Sequence, residues 1–311
     1  MKNTAAQKEA MMNDFTFGVE VEMNGITREL AAAVAGSFFT NYKFHRKGHD
    51  DDDYQTWSAF DKENREWQFS YDSSIEGPDD ERCELITPIL EVKDIPILLK
   101  LLTEFKNVGA ISCPKVGAGV HIHVARKDGF EVKDIKNIVH IMAAHEEQIG
   151  RAIKISSDRV ASYCKPIAPD FLKMVRDNPS INLEGLKHCW YVGNKAVYGQ
   201  DDHYNKSRYH MLNLHSFFNG HGTVEFRLFQ FSNESGIETK EMEAYILLCL
   251  GMCALAHSIS RASSKPQQTD NEKYAFRCWL LRLGFIGDEF KSARAVLLKN
   301  FEGSAAWRKA V

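Results

Sequence analysis

The chain has 311 residues, of which 44% are hydrophobic and 26% charged, with a formal net charge of −3. This is enough apolar material for a full core, as one large domain or two small ones. The near-neutral charge offers no electrostatic footprint for nucleic acid or an anionic membrane, and no run of about 18 uninterrupted apolar residues suggests a membrane span.

The opening Met-Lys-Asn-Thr-Ala-Ala-Gln-Lys lacks an apolar h-region and does not resemble a signal peptide. Residues 1–13 read as a flexible N-terminus. Residues 14–24 then predict a strand, Arg28 to Phe39 a helix of small residues, and Tyr42 to Arg46 a further strand. The run Asp50-Asp51-Asp52-Asp53 reads as a solvated loop. Residues 65–71 alternate as a strand, and the turn-rich segment from Asp72 separates them from a partner at 82–87, which Pro88 closes. Apolar side chains at helical spacing predict a helix over 92–107, with Gly109 as its stop.

A His-rich strand is expected at 119–125, a long amphipathic helix at 131–154, and short helices in an irregular stretch over 165–190. Tyr209 to Phe217 leads to a strand at 223–230. Residues 236–260 predict an apolar helix and 270–301 two more. Cys249 and Cys253 fall inside that apolar run, and the seven cysteines contain no CxxC pair. Reduced thiols in a cytoplasmic protein are the simplest account. No P-loop and no dinucleotide fingerprint is present. The order of elements predicts an α+β fold with an antiparallel or mixed sheet backed by helices and a helical C-terminal third.

The chemistry sits in strands that carry polar pairs two residues apart: Glu20 and Glu22, His121 and His123, Glu225 and Arg227. Period-2 alternation puts each pair on one sheet face, with Val19, Val21, Val120, Ile122, Val224 and Phe226 on the other. Taken singly, each pair also fits a bland role: a solvated sheet face, hydrogen-bonded core histidines, or a buried ion pair. Adjacent like charges favour a shared cation, and arginine suits phosphate or carboxylate oxygens. Glu84, in Cys-Glu-Leu-Ile-Thr-Pro, adds an acidic position on an otherwise apolar strand. Oxygen ligands with one or two histidines suit Mg²⁺ or Mn²⁺ better than structural zinc.

In order, Phe-Gly-Val-Glu20-Val-Glu22, Trp67 through Asp72-Ser-Ser-Ile to Glu84-Leu-Ile-Thr-Pro, Gly119-Val-His121-Ile-His123-Val, Arg159 to Tyr163-Cys164, Leu212-Asn213-Leu and Thr223-Val-Glu225-Phe-Arg227-Leu-Phe resemble the amidoligase family. These carboxylate–amine ligases share the glutamine synthetase and glutamate–cysteine ligase catalytic fold, and many occur in phages and bacteria. The resemblance spans roughly residues 15–231. It implies a curved, mainly antiparallel sheet around ATP and divalent metal, with residues 14–235 as the catalytic domain and 236–311 as helices packed on it.

By that resemblance, Glu20, Glu22, Glu84, His121 and Glu225 match metal positions, and Arg227 the arginine that stabilises a transferred phosphoryl group. His121, His123, Asn213 and Arg227 fall at nucleotide positions, and Arg159 and Tyr163 at substrate positions. Glu84, Glu225 and Arg227 form the implied catalytic set. The implied reaction activates a carboxylate as an acyl phosphate and transfers it to an amine. Two readings stand beside it. One is a metal-dependent hydrolase using His121, His123 and carboxylates to activate water. The other is a non-catalytic phage structural or binding protein that keeps the fold.

Overall fold

The computed structural model describes residues 2–48, 53–234 and 236–307; of the predicted acidic loop, Asp50, Asp51 and Asp52 lie outside these residues. Helix α1 spans Lys2–Asn13, followed by β1 (Phe15–Met23), α2 (Arg28–Phe38), β2 (Phe44–Arg46), β3 (Trp57–Phe60), β4 (Glu66–Ser70) and β5 (Cys83–Ile86). Next come α3 (Ile95–Asn107), β6 (Val120–Arg126), α4 (Val132–Ile153), α5 (Ser157–Ser162), α6 (Pro169–Asp177) and α7 (Leu183–Gly193). The chain continues through β7 (Leu212–Asn213), β8 (Val224–Phe229), α8 (Thr239–Ser258), α9 (Glu272–Arg282) and α10 (Lys291–Leu298). The fold is α+β, with antiparallel strands backed by helices.

The chain divides into two compact units. One holds Phe17–Ile122 and Phe229–Glu243; the other holds Met1–Thr16, His123–Leu228 and Ala244–Val311. This partition differs from the 14–235 and 236–311 division expected from sequence. The chain passes from one unit to the other within β6.

In the first, strand-rich unit, neighbouring strands follow the order β2-β3-β4-β5-β1. Alternation explains their faces: Val19, Val21, Trp67, Phe69 and Leu85 are buried, and every second residue turns the other way. Helix α3 covers them, with the Phe69 and Phe105 rings edge-on at 5.7 Å. Helix α2 packs on β3 and β4, its N-terminus capped by Thr27, whose hydroxyl accepts the Leu30 N–H at 3.1 Å. Gly109 ends α3's last turn at φ +102, the stop expected from sequence. Strand β3 was absent from the sequence reading; its Ser58 hydroxyl donates to Glu66 across the β3–β4 pair at 2.6 Å.

In the second, helix-rich unit, β8 pairs antiparallel with β7. Helix α4 begins with a capping box between Glu131 and Asp134 and ends at Lys154, at φ +53. Asn137 ties it to the end of α8, donating to the carbonyls of Ala256 and Ile259 at 2.9 Å each. Cys249 and Cys253 are buried in α8, and all seven cysteines are free thiols. The segment read as a flexible tail is instead helical as α1, because Met11 is buried against Gly251 and Lys8 pairs with Glu289. No helix among the described residues is long and apolar enough to cross a membrane.

Candidate active site

In the strand-rich unit, β1 and β5 run antiparallel with Glu22 directly opposite Glu84 and Glu20 opposite Ile86. Directly opposed carboxylates repel on a sheet face. His121, from the start of β6, lies beside them. One ligand atom from each of Glu22, Glu84 and His121 falls within 4.8 Å of the others. Glu22 and His121 are buried, at 4% and 3% exposure.

The turn before β6 holds this arrangement in place. Gly117 sits at φ +68, where an added Cβ would meet the Ser74 carbonyl at 3.1 Å. Two residues on, the Gly119 N–H donates to Glu22 Oε2 at 2.5 Å, and the Glu22 N–H donates to the Gly119 carbonyl at 3.1 Å. His121 Nδ1 lies 2.9 Å from Glu20 Oε2, and its Nε2 lies 3.5 Å from Glu22 Oε1. A carboxylate only accepts, so Nδ1–H donates to Glu20. In the neutral ring Nε2 then carries the lone pair, as in carboxylate–histidine–metal arrangements. Two carboxylates and one imidazole at this spacing suit a divalent cation with mainly oxygen ligands.

The helix-rich unit carries the other sequence-predicted residues. All of β8 is buried, and Glu225 and Arg227, two apart on one face, form an ion pair at 3% and 5% exposure. Asn213, opposite Glu225 in the β7–β8 register, donates its Nδ2 to Glu225 Oε2 at 2.6 Å. Arg159, on a short helix capped by Ser156, donates Nη2 to the Arg227 carbonyl at 3.0 Å. His123 Nδ1 lies 3.3 Å from the Thr223 hydroxyl. Tyr163 is 39% exposed and edge-on to Tyr209 at 6.3 Å.

Sequence reading missed His215, although Leu-Asn213-Leu-His215 alternates polar with apolar residues; it lies just beyond β7, at the start of a helical turn. The His215 backbone N–H donates to Asn213 Oδ1 at 2.8 Å, which turns the amide nitrogen toward Glu225. Its Nε2 lies 2.9 Å from the Asp202 carbonyl and 3.0 Å from Asn219 Nδ2, and its Nδ1 lies 2.9 Å from the Tyr191 hydroxyl. Burial pushes the His215 pKa down, the Asp202 carbonyl opposes that, and the charge of Arg208 adds to it. Asp202 thus supports this network through its backbone carbonyl.

Glu146 was also missed. It lines a cavity of about 700 Å³ in the helix-rich unit with Val160, Pro166 and Met211. Burial raises its carboxyl from 4.5 to about 7, against the Ile167 N–H, which donates to it at 2.9 Å and lowers it.

Residues 13–253 match the family model described as "Putative amidoligase enzyme". The chain belongs to this family. No curated protein matches it. Among solved structures, the crystal structure of a bifunctional glutathione synthetase from Pasteurella multocida is similar at 14% identity and a TM-score of 0.44. The match covers 95% of this chain and 49% of that one, so the chain spans about half the length of that protein.

Proposed function

We propose that this chain is an ATP-dependent carboxylate–amine ligase that forms an amide or isopeptide bond through an acyl phosphate. The observation that carries the proposal is the Glu22–Glu84 opposition with His121 beside it, inside a chain of the amidoligase family. Two buried or half-buried carboxylates facing each other need a counter-charge, and a nucleotide-bound divalent cation provides one.

On this reading Glu22, Glu84 and His121 hold Mg²⁺ or Mn²⁺, and Glu20 keeps the His121 ring in the tautomer that offers Nε2. When bound, the cation draws charge from phosphate oxygens. Arg227 neutralises the phosphoryl oxygens during transfer. Glu225 holds the guanidinium in its plane and is the remaining acidic candidate for a cation. Asn213 and His123 are assigned to nucleotide contacts, Arg159 and Tyr163 to the substrate.

A substrate carboxylate oxygen attacks the γ-phosphorus of ATP and ADP leaves. The amine nitrogen then attacks the acyl carbon, phosphate leaves with the C–O electron pair, and the amine gives up a proton. The overall change is loss of one water between carboxylate and amine.

The test incubates the protein with ATP, Mg²⁺, pooled amino acids and cell-wall peptides, following phosphate release and products lighter than their summed substrates by one water. Melting with and without ATP and Mg²⁺ runs in parallel, because a ligand that binds the native state raises its stability. Wild type should show Mg²⁺-dependent stabilisation and turnover that Glu22→Ala and Arg227→Ala both lose. Neither stabilisation nor turnover, or turnover unchanged in both variants, would sink the proposal. Metal-dependent cleavage of the same peptides without ATP would favour the hydrolase.

A further inference from the structure

We infer that the helix-rich unit contains a second binding site, separate in sequence from the candidate catalytic residues, for a phosphate dianion, free or on a small phosphorylated molecule. The site is a cavity of about 320 Å³ lined by one face of α4, the end of α6 with the turn after it, and the segment after α8.

Charge is the first observation. Lys136 on α4, Arg176 on α6 and Arg261 beyond α8 all line the cavity together with Ser180 and Ser260, and the lining contains no acidic residue. Lys133 also reaches the cavity, but Asp134 lies 3.6 Å from its ammonium and partly offsets its charge. Asp134 is further committed to His257 at 3.1 Å and to the Glu131 N–H at 3.0 Å. Lys136 donates only to the Pro179 carbonyl, which supplies no charge. Burial lowers the Lys136 pKa, and the like charge of Arg261 lowers it further. These cations therefore repel one another inside a partly enclosed space, and an oxyanion relieves that repulsion. Guanidinium forks from two elements and a lysine ammonium are well suited to phosphate oxygens.

His140 is the second, independent observation. It lines the same cavity at 5% exposure. Its Nδ1 lies 3.1 Å from the Ala262 carbonyl, which only accepts, so Nδ1 carries the proton. Nε2 is buried without a hydrogen-bond partner, a costly state for a polar atom. Burial lowers the pKa of this ring; the Ala262 carbonyl opposes that, and Arg261, Lys136 and Arg176 add to the lowering. Those cations come from every element that lines the cavity around the ring. A dianion that offsets them favours the imidazolium, and the ring then offers a second N–H. Phosphate binding is thus coupled to proton uptake at His140.

The test uses full-length protein without nucleotide or Mg²⁺, so its outcome does not depend on the ligase reading. Inorganic phosphate is titrated at constant ionic strength while the His140 imidazole resonances are followed across pH. An Arg176→Ala/Arg261→Ala variant and a Lys133→Ala control run in parallel. Wild type should bind phosphate and show the His140 pKa rising with it, and glycerol 3-phosphate should give the same response if the site takes a phosphate monoester. In the double variant phosphate affinity should fall by about tenfold or more, while the His140 pKa in chloride rises because its cationic neighbours are gone. The control should change phosphate affinity less than the double variant. His140 resonances that ignore phosphate, or a response equal in wild type and double variant, would overturn the inference.

Discussion

The two strand-borne clusters differ in what their carboxylates meet. In the strand-rich unit, Glu20 and Glu22 both approach the His121 imidazole and Glu84 stands opposite Glu22, so carboxylates gather around one ring. In the helix-rich unit, Glu225 is matched by the Arg227 guanidinium and the Asn213 amide, and Asn213 is held in turn by His215. Carboxylates facing one another favour an added cation, whereas a buried ion pair is costly when one partner is removed. Exposed sequence pattern does not separate the two cases, because both read as polar residues alternating on a strand.

The contrast is testable through the sign of mutational effects. The largest effect is expected at Arg227. Arg227→Met removes the guanidinium paired with the buried Glu225 and should destabilise the protein by about 3 kcal/mol. Turnover should fall on the order of a thousandfold. Combining it with Glu225→Leu should restore much of the stability but none of the activity, as read by urea melts and phosphate release. If the single variant melts like wild type, the ion-pair description fails.

Glu146 is expected to set a pH dependence. Its folded carboxyl titrates near 7 against 4.5 when unperturbed, so between these values the folded state binds more protons than the unfolded state. Stability contributed by the protonated form is full below pH 4.5 and is lost as pH rises toward 7. The loss should be on the order of 2 kcal/mol. Glu146→Gln should flatten that fall; an unchanged slope of Tm with pH between 5 and 7 would remove the assignment.

Smaller effects should separate the clusters further. His215→Phe removes the hydrogen bonds to Tyr191 and Asp202 and should cost about 1 kcal/mol, measured by urea melting. Glu84→Gln should act in the opposite direction. With chelator present it relieves the repulsion across β1 and β5 and should stabilise by about 0.5 kcal/mol, while the Mg²⁺-dependent rise in Tm shrinks. Destabilisation by Glu84→Gln under chelation would mean that the carboxylates are already balanced.

Much of the fold was legible because burial on one face writes itself into alternation. Strands β1, β5, β6 and β8 follow their predicted positions closely, and Glu20, Glu22, Glu84, His121, Glu225 and Arg227 stand on strands as expected. Strand β3 was not legible: Ser58 and Ala59 are both buried, so the alternation that marks a half-exposed strand is missing. Helix α1 was not legible either, since its sequence is polar and its anchors, Met11 and the Lys8–Glu289 pair, depend on residues far along the chain. The cation-lined cavity and the raised Glu146 carboxyl come from helices and turns separated by many residues, and no local spacing encodes them. His215 was legible in principle, through its alternation with Asn213.

The register of β5 has a consequence for how such a chain can change over descent. Glu84 lies between the buried Cys83 and Leu85 and faces Glu22 on one side and Ser70 on the other. The register of Glu84 does not depend on the length of the connection before it, because pairing on both flanks sets its place. One residue inserted within Cys83–Ile86 would instead exchange the carboxylate for a thiol or an aliphatic side chain. Within the strand, by contrast, only steps of two preserve which side chain looks out.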